Sequence, residues 1–462
     1  MARQMTQIRN KDNLIKNGKT ELARKARALA LQCLECALQA VDPKQLLKTK
    51  LSLKTSCLRA NDFSFDLKKF KNVYVVGGGK AAGAMAEALE EVLGKHITEG
   101  IVNVPYGTKH ESRVIEVCEA NHPVPDKAGI EDTMRMMQIA EQAEKDDLLI
   151  CLISGGGSSL MPLPLEGLSL DDKRAVTGAL LKSGATINEI NTVRKHLSAF
   201  KGGWLAKKAY PTTVLNLILS DVMGDPRDSI ASGPTVPDSS TFADAKKVLI
   251  KYGLWKTAPS SVRKILSDGV EGRLAETPKP GDTVFERVSS VIVGNNRVAS
   301  QAAIECLKRE GLNTLLLADF LEGEARQAGE ALGRFACEVA TSGKPLPKPV
   351  GVVAGGETTV TVTGKGLGGR NQELALSAAL QLTGTANCAM ASLSTDGVDG
   401  PTDAAGAIVD GNTLARAARA GLKPEEILAH NDSHRFFCEL GDLILTGQTG
   451  TNVNDISVIV VL

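Results

Sequence analysis

Short apolar runs recur along this chain, at residues 73–76, 100–104, 148–153, 214–219, 290–293, 314–317, 350–353, 390–393 and 443–445. Between many of them the composition turns helical, at 81–93, 130–143, 297–309, 324–339 and 372–382. A stretch with helix periodicity, 19–41, precedes the first run. Buried runs that alternate with helices predict parallel sheets covered on both faces, the α/β class. The periodicity breaks over 269–283, where glycine and proline interrupt a polar segment, and then restarts. The expected division is a Rossmann-like parallel-sheet domain over 1–285 and a second α/β domain over 286–462. A chain of 462 residues exceeds what one core supports, which agrees with two domains. Ligands of such proteins bind beyond the carboxyl ends of strands or between domains. The active site is therefore expected in the cleft between the two, built from loops that follow strands.

Composition narrows the class. Hydrophobic residues make up 43% and charged residues 23%, and the 45 glycines cluster after apolar runs, as in loops of a folded protein. The net charge of +1, with acids and bases interleaved, provides no basic face for nucleic acid. No apolar run approaches the ~18 residues of a membrane span. The first 30 residues are basic but lack the apolar core of a signal peptide, and Asp12 and Glu21 weaken a mitochondrial leader, so the cytoplasm is expected. Nine scattered cysteines make no disulfide framework. Cys33 and Cys36 have C-x-x-C spacing but sit in a helical apolar pattern and read as buried helix cysteines. His430 and His434, with Asp432 between them, make a weak metal pair.

The chemistry lies in the loops. Val73-Tyr-Val-Val-Gly-Gly-Gly-Lys80 runs from a strand into a glycine turn. Gly77-Gly78-Gly79-Lys80-Ala-Ala82 formally fits a dinucleotide fingerprint, but the next strand ends in Val-Pro-Tyr and offers no acid for a ribose. The Walker A spacing is absent as well. The remaining readings are an anion site, with backbone N–H groups converging at a helix start and Lys80 adding a charge, or a plain turn. Ser154-Gly155-Gly156-Gly157-Ser158-Ser159 follows the next central strand, and its amides and hydroxyls suit phosphate or carboxylate oxygens. Arg194, in Asn191-Thr-Val-Arg-Lys-His196, is a further candidate for such an anion, or part of a solvated helix face. Asp221 and Asp225 follow the strand 214–219, where they could hold Mg²⁺, orient a hydroxyl or cap the next segments. In the second half, Asn295 stands at a strand-to-helix turn, Glu357 follows Gly355-Gly356, and Gly369-Arg370 opens an apolar helix where the arginine could meet phosphoryl oxygens. Asp396 begins the acids of Thr395-Asp-Gly-Val-Asp-Gly-Pro401, which lack the EF-hand pattern. Together the loops describe a polar, anion-binding cleft suited to phosphoryl transfer.

The combination resembles the glycerate kinases of the MOFRL type. It is carried by Gly79-Lys80-Ala81, Asn121-His-Pro-Val-Pro-Asp126, the 154–159 loop, Asn191-Thr-Val-Arg-Lys195, Leu219-Ser-Asp-Val-Met-Gly-Asp225, Ala231-Ser-Gly-Pro-Thr235, Gly368-Gly369-Arg370-Asn-Gln-Glu373, Thr395-Asp-Gly-Val-Asp-Gly-Pro401 and Thr449-Gly-Thr-Asn-Val-Asn-Asp455. The resemblance implies ATP- and Mg²⁺-dependent phosphorylation of D-glycerate, usually at the 2-hydroxyl, with the lysine matching Lys80 and the arginine matching Arg370 tied most strongly to activity. On this reading Lys80, Arg370 and Asp221 are catalytic, and the 154–159 loop and Arg194 hold glycerate. Gly78, Gly79, Asn295, Glu357 and Gly369 meet the nucleotide, and Asp225 and Asp396 meet the metal. The rivals are a hydroxypyruvate or 2-hydroxy-acid reductase using NAD(P)H and a non-enzymatic sugar-phosphate sensor. A monomer or a homodimer is expected, with a small molecule as partner and neither nucleic acid nor membrane.

Overall fold

The computed structural model describes residues 7–385 and 387–462, and the chain forms two compact units. One is Leu46–Val293; the other joins the chain up to Gln45 with Gly294–Leu462. The expected contiguous split at 285/286 gives way to an insertion in sequence. The cause is helix α1 (Glu21–Ala40), capped by Thr20, whose hydroxyl accepts from Ala23 N at 3.0 Å. Leu31, Leu34 and Leu38 on α1 are fully buried against strands and a helix of the C-terminal half. Arg27 on the same helix is also fully buried. Its Nε donates to Leu14 O at 2.6 Å, and its Nη1 and Nη2 pair with Asp410 at 2.7 Å and with Asp442. An apolar face and a buried guanidinium together commit the N-terminal helix to the C-terminal residues.

The unit Leu46–Val293 opens with a small antiparallel sheet (Leu51–Lys54, Cys57–Ala60, Phe63–Asp66). Its main sheet comprises β1 (Val73–Gly78), β2 (Glu99–Pro105), β3 (Ile115–Ala120), β4 (Leu148–Ser154), β5 (Thr213–Leu219) and β6 (Val288–Gly294), in the order β3-β2-β1-β4-β5-β6. The β1–β2, β2–β3, β1–β4 and β4–β5 pairs are parallel. This is the Rossmann strand order, and the direction of winding reverses between β1 and β4, where such sheets bind ligands. Helix α2 (Ala82–Leu93) follows β1 directly. Helices α3 (Leu170–Lys182) and α4 (Ile187–His196) follow β4, and α4 starts in a capping box between Thr186 and Glu189. Val76, Ile101, Cys151 and Ile218 from the strands meet Phe200 in one core, while Leu180, Ile190 and Phe242 anchor a second, helical one.

In the other unit, helices α5 (Asn296–Arg309), α6 (Ala325–Ser342) and α7 (Arg370–Gln381) accompany a six-stranded sheet. Its strands are β7 (Asn313–Leu321), β8 (Val350–Gly356), β9 (Cys388–Ser394), β10 (Gly406–Asp410), β11 (Leu443–Ile444) and β12 (Asp455–Val461), ordered β7-β8-β12-β9-β10-β11. The α/β class holds in both units, yet here only β7 and β8 run parallel. The last strand, β12, returns antiparallel between β8 and β9. Its first residue, Asp455, is thereby placed opposite both Gly356 at the end of β8 and Ser394 at the end of β9. Among the described residues no helix is long and apolar enough to cross a membrane.

Candidate active site

The turn out of β1 is built on Gly79, whose φ is 147° and where a Cβ would run into Ser154 Oγ. Only glycine fits that backbone and that space. The turn does not present open amides, as the glycines had led one to expect. Gly79 N donates to Asn103 O at 3.0 Å, Lys80 N to Gly155 O at 2.8 Å and Ala81 N to Ser154 Oγ at 3.0 Å. These bonds tie the β1 and β4 loops together and fix the root of Lys80. Ser154 is fully buried and its hydroxyl accepts from Ala81 N, so it anchors the Lys80 turn to the β4 loop. The Lys80 side chain runs over the β4 loop: a Cβ on Gly156, at φ 82°, would lie 3.5 Å from Lys80 Cγ and 3.0 Å from the His122 ring.

The β4 loop does present amides. Ser159 N and Leu160 N turn back to Gly156 O and Met161 N to Gly157 O, but the N–H groups of Gly155, Gly156, Gly157 and Ser158 meet no protein acceptor among the described residues. Ser158 Oγ is 2.7 Å from Ser232 Oγ, and Ser232 donates to Asn191 Oδ1 at 3.1 Å. Arg194 Nη1 reaches the same oxygen at 3.5 Å, so it joins the β4 loop through Asn191 and Ser232. Ala231 and Ser232 both have left-handed φ, 51° and 60°, conformations that non-glycine residues hold only when their surroundings impose them. Asp221 and Asp225 follow β5, the neighbour of β4; both are half-buried, and Asp225 has a left-handed φ of 54°.

Behind Arg194 lie two more cations. Lys201, fully buried, donates to Met161 O at 2.8 Å, and Lys173 donates to Pro162 O at 3.2 Å and Leu163 O at 3.4 Å. Among the described residues none of the three forms an ion pair with a carboxylate; Lys195 takes Asp228 and Asp238 instead. Burial pushes Arg194 down to about 10 and, aided by Arg194, pushes Lys173 down to about 7. Burial and the two neighbouring cations drive Lys201 well below the usual lysine range.

In the other unit Arg370 is the first residue of α7, and its guanidinium is held by carboxylates. Nε and Nη2 donate to the two oxygens of Asp455 at 2.6 and 2.9 Å, and Nη1 donates to Glu357 at 2.5 Å. The bidentate partner at rest is thus an aspartate. The first-turn amides of α7, expected to reinforce an anion site, serve Asp399: Asn371 N donates to Oδ1 at 3.0 Å and Gln372 N to Oδ2 at 2.9 Å. Asp399 is a buried cap that fixes the helix end carrying Arg370. Burial raises Asp399, against the hydrogen bonds that lower it. Burial also pushes Asp455 up to about 7 against the pull of Arg370; Arg370 itself is raised, its own burial outweighed by Asp455 and Glu357.

Lys80, Gly78, Gly79, the 154–159 loop and Arg194 therefore meet in the first unit, while Arg370, Glu357 and Gly369 meet in the second. Asn295 caps α5, accepting from Val298 N at 3.2 Å, and its neighbour Asn296 donates to Asp455 O at 2.9 Å. Asp396 folds back on its own turn, accepting from Ser394 Oγ at 2.9 Å and Val398 N at 3.0 Å. Asp225 and Asp396, the two expected metal ligands, belong to different units, and the described residues contain no group of three or more metal-ligating side chains. Asn191 stood beside Arg194 as a candidate anion ligand in the sequence, whereas His122, Ser232, Asp399 and Asp455 were not singled out. Each stood in a polar stretch that was quoted, but only the fold shows which side chain of the stretch turns toward Lys80, Arg194 or Arg370.

Comparison with known proteins accounts for both units. Residues 29–267 match a domain of unknown function, DUF4147, and residues 350–455 match the MOFRL family. The chain is 48% identical over 387 residues to a D-glycerate 2-kinase of Thermotoga maritima, covering 83% of this chain and 89% of that one. It is 44% identical over 389 residues to an Agrobacterium vitis protein named as a candidate hydroxypyruvate reductase, covering 84% and 86%. A crystal structure of glycerate kinase from T. maritima superimposes with a TM-score of 0.83 at 43% identity, covering 94% of this chain and 99% of that one. The chain belongs to the glycerate kinase family of the MOFRL type.

Proposed function

We propose that the protein transfers the terminal phosphoryl group of ATP to the 2-hydroxyl of D-glycerate, giving 2-phosphoglycerate and ADP. The observation that carries this reading is the run of four backbone N–H groups, Gly155 to Ser158, without protein acceptors beneath the Lys80 side chain. Converging amides beside a lysine stabilise oxyanions, and phosphoryl transfer consists largely of positioning and charge stabilisation. The amides of the β4 loop, the Ser158 and Ser159 hydroxyls and Arg194 hold the glycerate carboxylate and hydroxyls in this scheme. The 2-hydroxyl oxygen attacks the terminal phosphorus as the bond to the ADP oxygen breaks. Asp221 accepts the hydroxyl proton, and Lys80 neutralises charge on the phosphoryl oxygens.

Arg370, preset by Asp455 and Glu357, supplies a second fixed positive charge. Gly369 and Asn295, at the starts of α7 and α5, are assigned to the nucleotide. Gly78 and Gly79 contribute close approach, since the Gly79 amide is already bonded. Mg²⁺ keeps several waters and takes one or two carboxylates plus substrate phosphates, so Asp225 and Asp396 are assigned to it. When bound it supplies charge neutralisation on the phosphates.

Phosphorus NMR of the protein with ATP, Mg²⁺ and D-glycerate tests the reading. The expected result is ADP with a phosphomonoester coupled to the proton on carbon 2; unconsumed ATP, or coupling to the carbon 3 protons, refutes it. Lys80→Ala is expected to lower turnover by roughly 10²–10³-fold. A second reading, hydroxypyruvate reduction, draws on the Rossmann strand order and the A. vitis relative. It requires absorbance at 340 nm to fall with hydroxypyruvate and NAD(P)H, and no such change is expected.

A further inference from the structure

Cys33 and Cys36 lie one turn apart on α1, and the fold brings Cys306, near the end of α5, against both. Cys36 Sγ and Cys306 Sγ are 3.0 Å apart, and Cys33 stands close enough to influence the same Cys306 sulfur. Cys33 and Cys306 are buried, Cys36 is half-buried, and Arg309 Nη2 stands 3.8 Å from Cys36 Sγ. The other six cysteines occur outside this cluster. None of the three takes part in the phosphoryl transfer proposed above.

A thiolate in such a cluster accepts S–H bonds from its neighbours and is balanced by the guanidinium. The S–H of Cys33, then Cys36 and Arg309, bring Cys306 down to about 6 against its burial. The same contacts and burial raise Cys33, and burial above all pushes Cys36 up to about 11. One proton is thus held less tightly than the other two, and it belongs to the cluster as a whole.

We propose that Cys36 and Cys306 form a dithiol that a peroxide oxidises to a disulfide, clamping α1 to α5. The thiolate sulfur of the pair attacks one peroxide oxygen, the O–O bond breaks, and hydroxide leaves to be protonated as water. The resulting sulfenic acid is attacked by the other sulfur; the S–S bond forms, the S–O bond breaks, and a second water leaves with the thiol proton. The two cysteines lose two electrons and the peroxide gains them. Reagent enters at Cys36, the exposed edge of the cluster, and a small thiol reductant reverses the reaction. The bridge would close a loop between residues 270 apart in sequence, so the oxidised protein melts at a higher temperature.

The test uses the full-length reduced protein, titrated with hydrogen peroxide, alkylated and mapped by mass spectrometry without reduction. A Cys36–Cys306 cross-link is expected before the exposed Cys438 gains oxygen, with a thermal midpoint that rises and returns on adding dithiothreitol. Cys33→Ser should keep the cross-link and Cys306→Ser should abolish it. Arg309→Met, which leaves every sulfur in place, should slow bridging about tenfold. Oxidation of Cys438 first, a bridge containing Cys33, or an unchanged rate in Arg309→Met would overturn the proposal.

Discussion

Two groups of buried cations use opposite electrostatic solutions. Arg27 has its charge matched by Asp410 and Asp442 and donates a third bond to Leu14 O. Asp442 is shared with Arg416 at 2.6 Å, so the network is closed. Lys173 and Lys201 are buried as well and Arg194 is half-buried, but all three rest on carbonyl and amide oxygens alone. A carboxylate pair turns a buried cation into part of the framework. Carbonyls satisfy its hydrogen bonds and leave its charge uncompensated, which lowers the lysine pKa values or attracts an anion. The two lysines show the first outcome, and they hold Met161 to Leu163, the segment directly after the 154–159 loop. The first group holds the chain together; the second holds the loop assigned to glycerate.

The sharpest way to break this contrast is Arg27→Met. It strands Asp410 in the interior and is expected to reduce unfolding free energy by about 3–5 kcal/mol, read as a lower urea midpoint. A loss below ~1 kcal/mol would mean that the pair is not what fixes α1. Arg194→Met should behave in the opposite way. The folded state is kept or slightly stabilised, while kcat/KM for glycerate falls about 10- to 100-fold, the worth of a charged hydrogen bond. A variant that unfolds with normal kinetics would place Arg194 in the framework.

The contrast also explains what could be read from sequence. The nine apolar runs all became strands, and the glycine loops fell beyond their ends; in the central strands burial on both faces leaves a plain apolar signature. The edge strand β3 was missed, since Ile115-Glu-Val-Cys-Glu-Ala120 mixes exposed acids with apolar residues. β12 was missed although 456–461 is as apolar and buried as the runs that were read; its first residue, Asp455, was grouped with the polar stretch 446–455 instead. Within the site, Lys80 and Arg370 were legible as charges at strand-to-helix turns. Their partners were not: Asp455 lies 85 residues from Arg370, and the pairing depends on an antiparallel insertion that no local pattern encodes. Lys173 and Lys201 were illegible for a related reason, as lysine on a helix or in a loop normally reads as solvated surface.

Lys201→Met tests the second group with a smaller effect. Methionine matches the aliphatic stem and removes the buried terminal amine, whose charged form burial disfavours, together with its single bond to Met161 O. Replacing a buried charge by an apolar side chain of similar volume is often neutral or stabilising. The expected change in the urea midpoint is therefore small, within about 1 kcal/mol of wild type. A loss as large as that of Arg27→Met would show the two groups to be energetically alike and erase the contrast.

A separate test lies in the pH dependence, and its sign follows from Lys173. Burial lowers this lysine from 10.5 in the unfolded chain to about 7 in the fold. Between those values the unfolded chain binds a proton that the folded protein lacks, so unfolding free energy rises with pH across that window and levels off above 10.5. Below about pH 7 both states carry the proton and the burial penalty is fully present. Asp455 works lower down and in the other direction: raised from 3.8 to about 7, it favours the fold at low pH and loses that contribution as pH climbs toward 7. Urea midpoints of wild type and Lys173→Met, compared at intervals from pH 6 to about 10, isolate the lysine because Asp455 cancels in the difference. The wild-type midpoint should gain on the variant as pH rises above neutrality. Parallel profiles, or a wild type that loses ground, would mean that Lys173 stays charged through the window and that a carboxylate or bound anion compensates it after all.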